Sequence, residues 1–331
     1  MRIFSVSIII ACRNEEKHIK KCLDSLVKQN DFRGNTEIIV VDGMSNDKTK
    51  KIVKKIQITN PESQIKLLDN PKKFNSFGFN VGIKEARGDI IIIFGAHSTA
   101  DKNFISKNIE YLKKTQADCV GGPIETIGKS SIGKIISFVL SSPFGVGGAK
   151  FRYSQKEGYV DTVAYGAYKK EVFKTIGLFD ERLIRNHDIE FNTRLIKNDG
   201  KIFMTPEIKS YYYCPNSIIK FSKQGFSNGL WNIYTSKLMP GSLHLRHFIP
   251  FCFVVGLLGS ILISFINPIG KWLLCLIIFS YTIGNLLFSL KIILKKGLRY
   301  LLLLPISFFI LHFSYGFGSL WGILTLWKIK K

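Results

Sequence analysis

Residues Gly88-Asp89-Ile90-Ile91-Ile92-Ile93-Phe94 run directly into Gly95-Ala96-His97-Ser98. A β-branched stretch without a polar break gives way abruptly to small and polar residues. A strand with one wet face alternates apolar and polar side chains. An unbroken run needs both faces covered, which is the environment of a mainly parallel sheet flanked by helices. In open α/β sheets ligands bind beyond the carboxyl ends of the strands, so Gly95 to Ser98 is expected at the floor of a cleft. Gly95 permits close backbone approach and His97 is a potential metal ligand. The plainer reading of the same residues is a central strand followed by an ordinary loop.

The flanking sequence repeats this logic. Val6 to Ala11 reads as a first strand, Glu15 to Lys28 as a helix, and Glu37 to Val41 as a second buried strand ending at Asp42. Asp47 starts a helix through Lys55. Gln64 to Leu68 is a third strand, Asn75 to Ala86 a helix, and Ile90 to Phe94 the fourth strand. Asn103 to Lys114 continues as helix and Ala117 to Val120 as strand. The rhythm predicts a doubly wound α/β sheet. Lys129 to Asp161 is rich in Gly and Ser and reads as loop and short helix over the cleft mouth. Lys169 to Thr175 and Asp188 to Lys197 are short helices stopped by Gly177 and Gly200.

The chain of 331 residues carries a net charge of +23, and its last acidic residue is Glu207. Beyond it lie apolar runs at 248–266, 272–294 and 301–327, each near or above the roughly 20 residues that span a bilayer. Ser217 to Lys237 mixes aromatic and basic residues as an interfacial helix does. The domain plan is therefore 1–215 globular, 216–247 membrane-interface, and 248–331 transmembrane. A basic tail of this kind suits anionic lipid headgroups. No aromatic-basic platform or motif points to nucleic acid. The six cysteines lack CxxC spacing, which argues against a zinc site or a disulfide framework. Lys295, Lys296 and Arg299 mark their loop as cytoplasmic, placing the loop near Asn267 outside and the globular half inside. The same rule conflicts with an outside location for Lys328, Lys330 and Lys331.

Polar clusters close several strands: Ala11-Cys12-Arg13-Asn14-Glu15-Glu16, Asp42-Gly43-Met44-Ser45-Asn46-Asp47-Lys48-Thr49, and Gly95 to Ser98. Asn186-His187-Asp188-Ile189-Glu190 opens a later helix. Singly, each reads as a capped turn; Asp47 or Asp188 could be only a helix cap. Together, and with Asn80-x-Gly82-Ile83, Gly121-Gly122-Pro123, Tyr165-Gly166-Ala167-Tyr168, Gly177-Leu178-Phe179-Asp180-Glu181 and Arg246-His247-Phe248-Ile249-Pro250, the chain resembles a family-2 glycosyltransferase with the GT-A fold. It is similar to the membrane-anchored succinoglycan-type enzymes of bacterial surface polysaccharide synthesis.

That resemblance implies an inverting hexosyltransferase moving a sugar from a nucleotide-diphosphate donor, UDP-linked by expectation, to a lipid-linked glycan at the cytoplasmic face of a bacterial inner membrane. Arg13, Asn14, Glu15 and Asp42 would hold the nucleoside, with Asp42 accepting hydrogen bonds from the base. Ser45 and Asp47 would position that loop, and Ala11, Lys72, Asn80 and Ala96 would complete the donor site. Asp188 matches the catalytic base, which removes the acceptor's proton during attack. Tyr165, Gly166, His187 and Glu190 would face the acceptor, Glu190 alternatively orienting its neighbouring loop.

One position departs from the family. The fourth strand normally ends in a carboxylate motif that holds a divalent cation; here Gly95 stands in the first carboxylate position and only His97 remains. A Mn²⁺ or Mg²⁺ cofactor would then be held largely by phosphates and water, with imidazole favouring Mn²⁺. Lys72, Lys73 or Arg152 are alternative neutralisers of the diphosphate, and a hydrogen-bonded loop histidine is the alternative for His97. Gln224 and Trp231 fall where processive synthases carry Gln-x-x-Arg-Trp, but Ser227 and Asn228 occupy its Arg and Trp positions. Gln224 and Trp231 read as acceptor contacts, with membrane-surface anchoring by Trp231 an equal alternative, and a processive polymerase ranks second to a single-sugar transferase. A non-catalytic scaffold is the rival from another class: Gly95 supports it, while Asp42 and Asp188 oppose it.

Overall fold

The computed structural model describes residues 4–29 and 36–329. Lys330 and Lys331 lie outside the described residues. The chain divides into two compact units, Met1–Glu125 with Tyr153–Tyr213, and Thr126–Arg152 with Cys214–Lys331.

The first unit begins with β1 (Val6–Cys12), α1 (Ile19–Val27), β2 (Thr36–Asp42), α2 (Thr49–Thr59), β3 (Ile65–Asp69), α3 (Asn75–Glu85) and β4 (Ile90–Ile93). Then come β5 (Ser98–Ala100), α4 (Phe104–Thr115), β6 (Cys119–Gly122) and β7 (Ile124–Ile127), the last leading across the boundary. β1, β2 and β4 bury nearly every side chain, as their unbroken apolar runs require. One face of the sheet, through Ile8, Ile10, Ile38, Val40, Ile90 and Ile92, packs with the apolar stripes of α1, α2 and α4. The other face meets α3: a Cβ on Gly82 would lie 2.4 Å from Ile9, so only glycine allows this helix so close to the strand.

After α5 (Ser131–Leu140) and α6 (Pro143–Val146) in the second unit, the chain returns to the first. There it forms β8 (Gly158–Tyr159), β9 (Ala164–Lys169), α7 (Lys170–Thr175), α8 (His187–Lys197), β10 (Ile202–Met204) and β11 (Ser210–Tyr213). The main sheet runs β3-β2-β1-β4-β9-β6-β10-β8. β1 pairs parallel with β2 and β4, β2 with β3, and β6 with β10. Two strands depart from pure winding: β8 pairs antiparallel with β10 at the edge, and β9 is inserted antiparallel between β4 and β6. The β9 sequence, Ala-Tyr-Gly-Ala-Tyr-Lys, lacks the β-branched run of its neighbours, so the insertion is invisible to periodicity. β5 pairs antiparallel with β11 in a smaller sheet.

The second unit adds α9 (Ile218–Leu238), α10 (Ile249–Ser264), α11 (Pro268–Lys296) and α12 (Leu303–Leu324). The stretch expected to be loop and short helix contains α5, which opens on a Ser130 side-chain cap to Gly133 N–H at 2.9 Å. Buried Ile135, Ile136, Val139 and Leu140 give α5 its packing face. The Phe144 ring lies among Tyr281, Phe288, Phe308 and His312. Residues 126–152 therefore share an apolar core with helices more than a hundred positions later. Helix α9 packs along α12 through small residues: a Cβ on Gly229 would sit 2.0 Å from Tyr315 O, and one on Gly318 2.0 Å from Phe226 O. The aromatic-basic helix expected at a membrane surface thus has a flank built for helix packing. α11, with 29 residues, and α12, with 22, are long and apolar enough to cross a membrane; α10 has 16 and is short for a span.

Candidate functional site

The ends of β1 and β2 are joined by a ladder of side-chain and backbone hydrogen bonds. Asn14 N–H donates to Ser45 Oγ at 2.8 Å, and Asn46 N–H to Asn14 Oδ1 at 3.0 Å. Glu15 N–H donates to Thr49 Oγ1 at 2.8 Å, Glu16 N–H to Asp47 Oδ2 at 3.1 Å, and Lys48 N–H to Glu16 Oε2 at 3.2 Å. The spacing Ser45-x-Asp47-x-Thr49 supplies these acceptors in register with Asn14, Glu15 and Glu16. Asn14 and Met44 both turn through φ 56°, the left-handed region that asparagine tolerates.

Asp47 does more than start a helix. Its Oδ1 accepts from Thr49 N–H at 2.9 Å and from the Thr49 hydroxyl, while Oδ2 reaches Glu16. Burial pushes its pKa up, but the Thr49 and Glu16 hydrogen bonds prevail and hold it below the usual carboxylate range. Asp42, expected to accept from a base, is 0 % exposed. Its Oδ2 accepts from Ser45 N–H at 2.8 Å and lies 3.6 Å from Lys50 Nζ. The bond from Ser45 N–H fixes the loop that follows β2. Ala11 and Ala96 are likewise buried, whereas Arg13 is exposed.

At the end of β4, His97 Nδ1 lies 3.3 Å from Glu15 Oε1, and its ring meets Tyr212 edge-on at 5.3 Å. Gly95 is not in the left-handed region, so backbone conformation does not demand glycine. Proximity does: a Cβ there would lie 2.9 Å from Tyr165 Cε1. Tyr165 is held at φ 47°, bonds Ser98 through its hydroxyl, and packs on Phe94 at 4.6 Å between centroids. Tyr165, expected near the acceptor, lies beside Gly95 at the end of β4. Gly166, also expected there, is buried in β9 against Cys119 and Tyr168.

Asp188 is exposed in the first turn of α8. The N-cap is Asn186 in the left-handed region, so Asp188 is not the cap residue that a structural reading would make it. Glu190 is 3 % exposed and grips Arg194 with both oxygens, at 2.8 and 2.9 Å. Arg194 in turn donates to Ile176 O and Leu178 O. Of the two roles expected for Glu190, this geometry is that of orienting the neighbouring loop. The His187 ring packs on Phe79 and Phe179 at 5.2 and 5.8 Å, and burial depresses its pKa although Asp188 pulls upward. Asn80 is buried, its amide bonded to Phe179 O, Phe179 N–H and Glu181 Oε1, and so braces the turn at Phe179. Lys72 is exposed, 4.0 Å from Glu181 Oε2. Gln224 and Trp231 lie on α9 of the second unit, where Trp231 meets Tyr234 edge-on at 5.3 Å.

The sequence motifs contain Thr49 and Glu181 without revealing that they brace Glu15 and Asn80, and Tyr212 lies outside every motif. Tyr212 is brought beside His97 by β11, and Glu181 beside Asn80 by the turn before α8. No group of three or more potential metal ligands exists among the described residues.

A mostly parallel sheet with helices on both faces and polar loops at its strand ends has the architecture of GT-A glycosyltransferases. The chain superposes on the mannosyltransferase PcManGT from Pyrobaculum calidifontis, solved with GDP-Man and Mn²⁺, with TM-score 0.62 and 14% identity, covering 97% of this chain and 88% of that one. It also superposes on S. aureus TarS 1–349, solved with UDP-GlcNAc, with TM-score 0.53 and 16% identity over 96% of this chain and 92% of that one.

The model of glycosyl transferase family 2 matches residues 7–177, and the chain belongs to that family: it is a glycosyltransferase. The dolichyl N-acetyl-alpha-D-glucosaminyl phosphate 3-beta-D-2,3-diacetamido-2,3-dideoxy-beta-D-glucuronosyltransferase of Methanococcus voltae is 34% identical over 94% of this chain and 95% of its own. Succinoglycan biosynthesis protein ExoA of Rhizobium meliloti (strain 1021) is 29% identical over 80% and 81%.

Proposed function

We propose that the protein is an inverting transferase that moves a hexosyl group from a nucleoside-diphosphate sugar, UDP-linked in the first instance, to a lipid-linked glycan at the cytoplasmic face of the cell membrane. The observation that carries this reading is the hydrogen-bonded pair of loops at the ends of β1 and β2, held rigid from below by Asp42 and Asp47. A preorganised loop pair of this kind suits a donor, because its ordering entropy is met on folding rather than on binding. Arg13 and Asn14 present the nucleoside-facing edge, and Lys72 and Lys73 are cations for the diphosphate. The polyprenyl-type acceptor is supported by α11 and α12 and by the Methanococcus and Rhizobium relatives, whose names concern a dolichyl phosphate glycan and succinoglycan. Those relatives are archaeal and bacterial, so surface glycan assembly in a prokaryote is the setting. The domain plan that accompanies this reading is a catalytic half to about residue 215, followed by a membrane-bound half.

Asp188 takes the proton from the acceptor hydroxyl as its oxygen attacks the anomeric carbon. The bond from that carbon to the diphosphate oxygen breaks on the opposite face, inverting the centre, and the nucleoside diphosphate leaves with the electron pair. Asp188 stands exposed in the first turn of α8, where an acceptor hydroxyl can reach it. The Glu190–Arg194 grip fixes the turn that presents it. A divalent cation, when bound, neutralises the leaving diphosphate; an imidazole at the strand end is a suitable donor for Mn²⁺, and His97 would hold it.

The test is a screen of nucleotide sugars for transfer to a polyprenyl-diphosphate glycan, with Asp188→Asn as the comparison. Asp188→Asn should lower transfer by about 10²–10⁴-fold while nucleotide affinity stays within a small factor. Substantial transfer in that variant would remove Asp188 from the mechanism, and retention of configuration in the product would remove the inverting scheme.

A further inference from the structure

We infer that the cation is held by Glu15 and His97 together, with Glu15 supplying from the end of β1 the carboxylate that the end of β4 lacks. The inference rests on the donor reading above and adds a second protein ligand to it.

The usual carboxylate position is closed here as well as empty of oxygen. Any side chain at Gly95 would meet Tyr165 Cε1 at 2.9 Å and Tyr165 Oη at 3.3 Å, and Tyr165 is fastened by Ser98 and Phe94. A hard oxygen ligand must therefore come from another element. Asp47 spends its oxygens on Thr49 and Glu16, and Asp42 is buried. Glu15 is different. Its backbone is pinned by Thr49, and its carboxylate reaches across to His97, with Oε1 3.3 Å from Nδ1. Adjacent ligands of an octahedral cation, each about 2.1 Å from the metal, stand about 3 Å apart. The observed separation is within a few tenths of that value, a spacing that suits two ligands of one cation.

Exposure and anchoring agree with this. The His97 side chain is 43% exposed and that of Glu15 22%, so the remaining positions are open to diphosphate oxygens and water. His97 is steadied by Tyr212 and by Tyr213 N–H donating to its carbonyl at 3.2 Å. One or two protein ligands completed by substrate phosphates is the mode that Mg²⁺ and Mn²⁺ accept, and mixed oxygen and imidazole donors favour Mn²⁺ between them.

The experiment is a Mn²⁺ titration of the full-length protein in detergent, read by the EPR signal of free Mn²⁺, with and without UDP or GDP. Nucleotide binding in chelator is measured separately. Glu15→Gln and His97→Ala should each raise the Mn²⁺ dissociation constant by about tenfold or more, whereas Glu62→Gln, an exposed carboxylate on the turn before β3, should leave it within about twofold. Nitrogen coupling to bound Mn²⁺ should persist in Glu15→Gln and vanish in His97→Ala. Unchanged Mn²⁺ affinity in Glu15→Gln, with nucleotide binding intact, overturns the assignment of Glu15. Absence of UDP and GDP binding under every condition would instead overturn the donor reading, so the two failures are distinguishable. Rescue of Mn²⁺ affinity by Glu15→Asp, but not by Glu15→Gln, would support the carboxylate ligand.

Discussion

Gly95→Ala is the smallest change that probes the floor of the site. The added Cβ would lie 2.9 Å from Tyr165 Cε1 and 3.3 Å from Ser98 Oγ. The ring cannot swing away cheaply, because its hydroxyl is bonded to Ser98 and its face is against Phe94. Overpacking of this kind costs about 1–3 kcal/mol, and losing the Tyr165–Ser98 hydrogen bond would add about 1 kcal/mol. The strain falls on one turn, in which Ser98 N–H donates to Gly95 O at 3.1 Å. The two costs together make about 2–4 kcal/mol, so local opening of that turn should become roughly thirtyfold to several-hundredfold more frequent, read as faster hydrogen exchange at the Ser98 amide. Tyr165→Gly removes the obstructing ring and suits the φ of 47°. In that background Gly95→Ala should be nearly silent, giving a coupling of about 1 kcal/mol or more in a double-mutant cycle. Equal acceleration by Gly95→Ala in both backgrounds would refute the claim that Tyr165 is what makes glycine necessary.

Glu37 should contribute to acid sensitivity. Burial raises its pKa, but hydrogen bonds from Lys66 at 2.7 Å, Arg87 N–H at 2.6 Å and Ser7 at 2.7 Å outweigh this and hold it below 4.5. Its stabilisation is then complete above the unfolded-state pKa and is lost as pH falls through the lower folded value. Thermal unfolding followed from roughly pH 6 to 3 should show a shallower acid decline in Glu37→Gln than in wild type, from a lower starting stability; parallel curves would contradict this. Truncation after His247 should not yield a detergent-free soluble protein, since it uncovers α5 and the Phe144 ring, which pack on α11 and α12. A monodisperse truncated protein without detergent would show that this packing is dispensable.

Much of the catalytic architecture was legible because it is written in local pattern. Unbroken β-branched runs announced β1, β2 and β4, since such runs have no other comfortable environment. The Ser45-x-Asp47-x-Thr49 spacing announced a polar turn, and the acid-free apolar runs announced the C-terminal helices. Asp188 was placed at the start of its helix from sequence alone, and the helix begins at His187.

What periodicity could not supply is which distant segments meet. β9 enters the sheet antiparallel because its neighbours leave hydrogen-bonding edges for it, although its own sequence is a weak strand. Residues 126–152 join the C-terminal unit because Phe144 finds an aromatic niche on helices far along the chain. Asn80 was quoted as a motif residue, yet it braces the turn at Phe179. Gly95 looked like a lost ligand, and only the fold shows Tyr165 filling its place and Glu15 beside His97. The sequence by itself determined the elements and the residue types at their ends, because strand burial and turn chemistry act over a few residues. The tertiary structure decided which of those polar groups are buried, braced or open, because that depends on atoms brought together only when the sheet is complete.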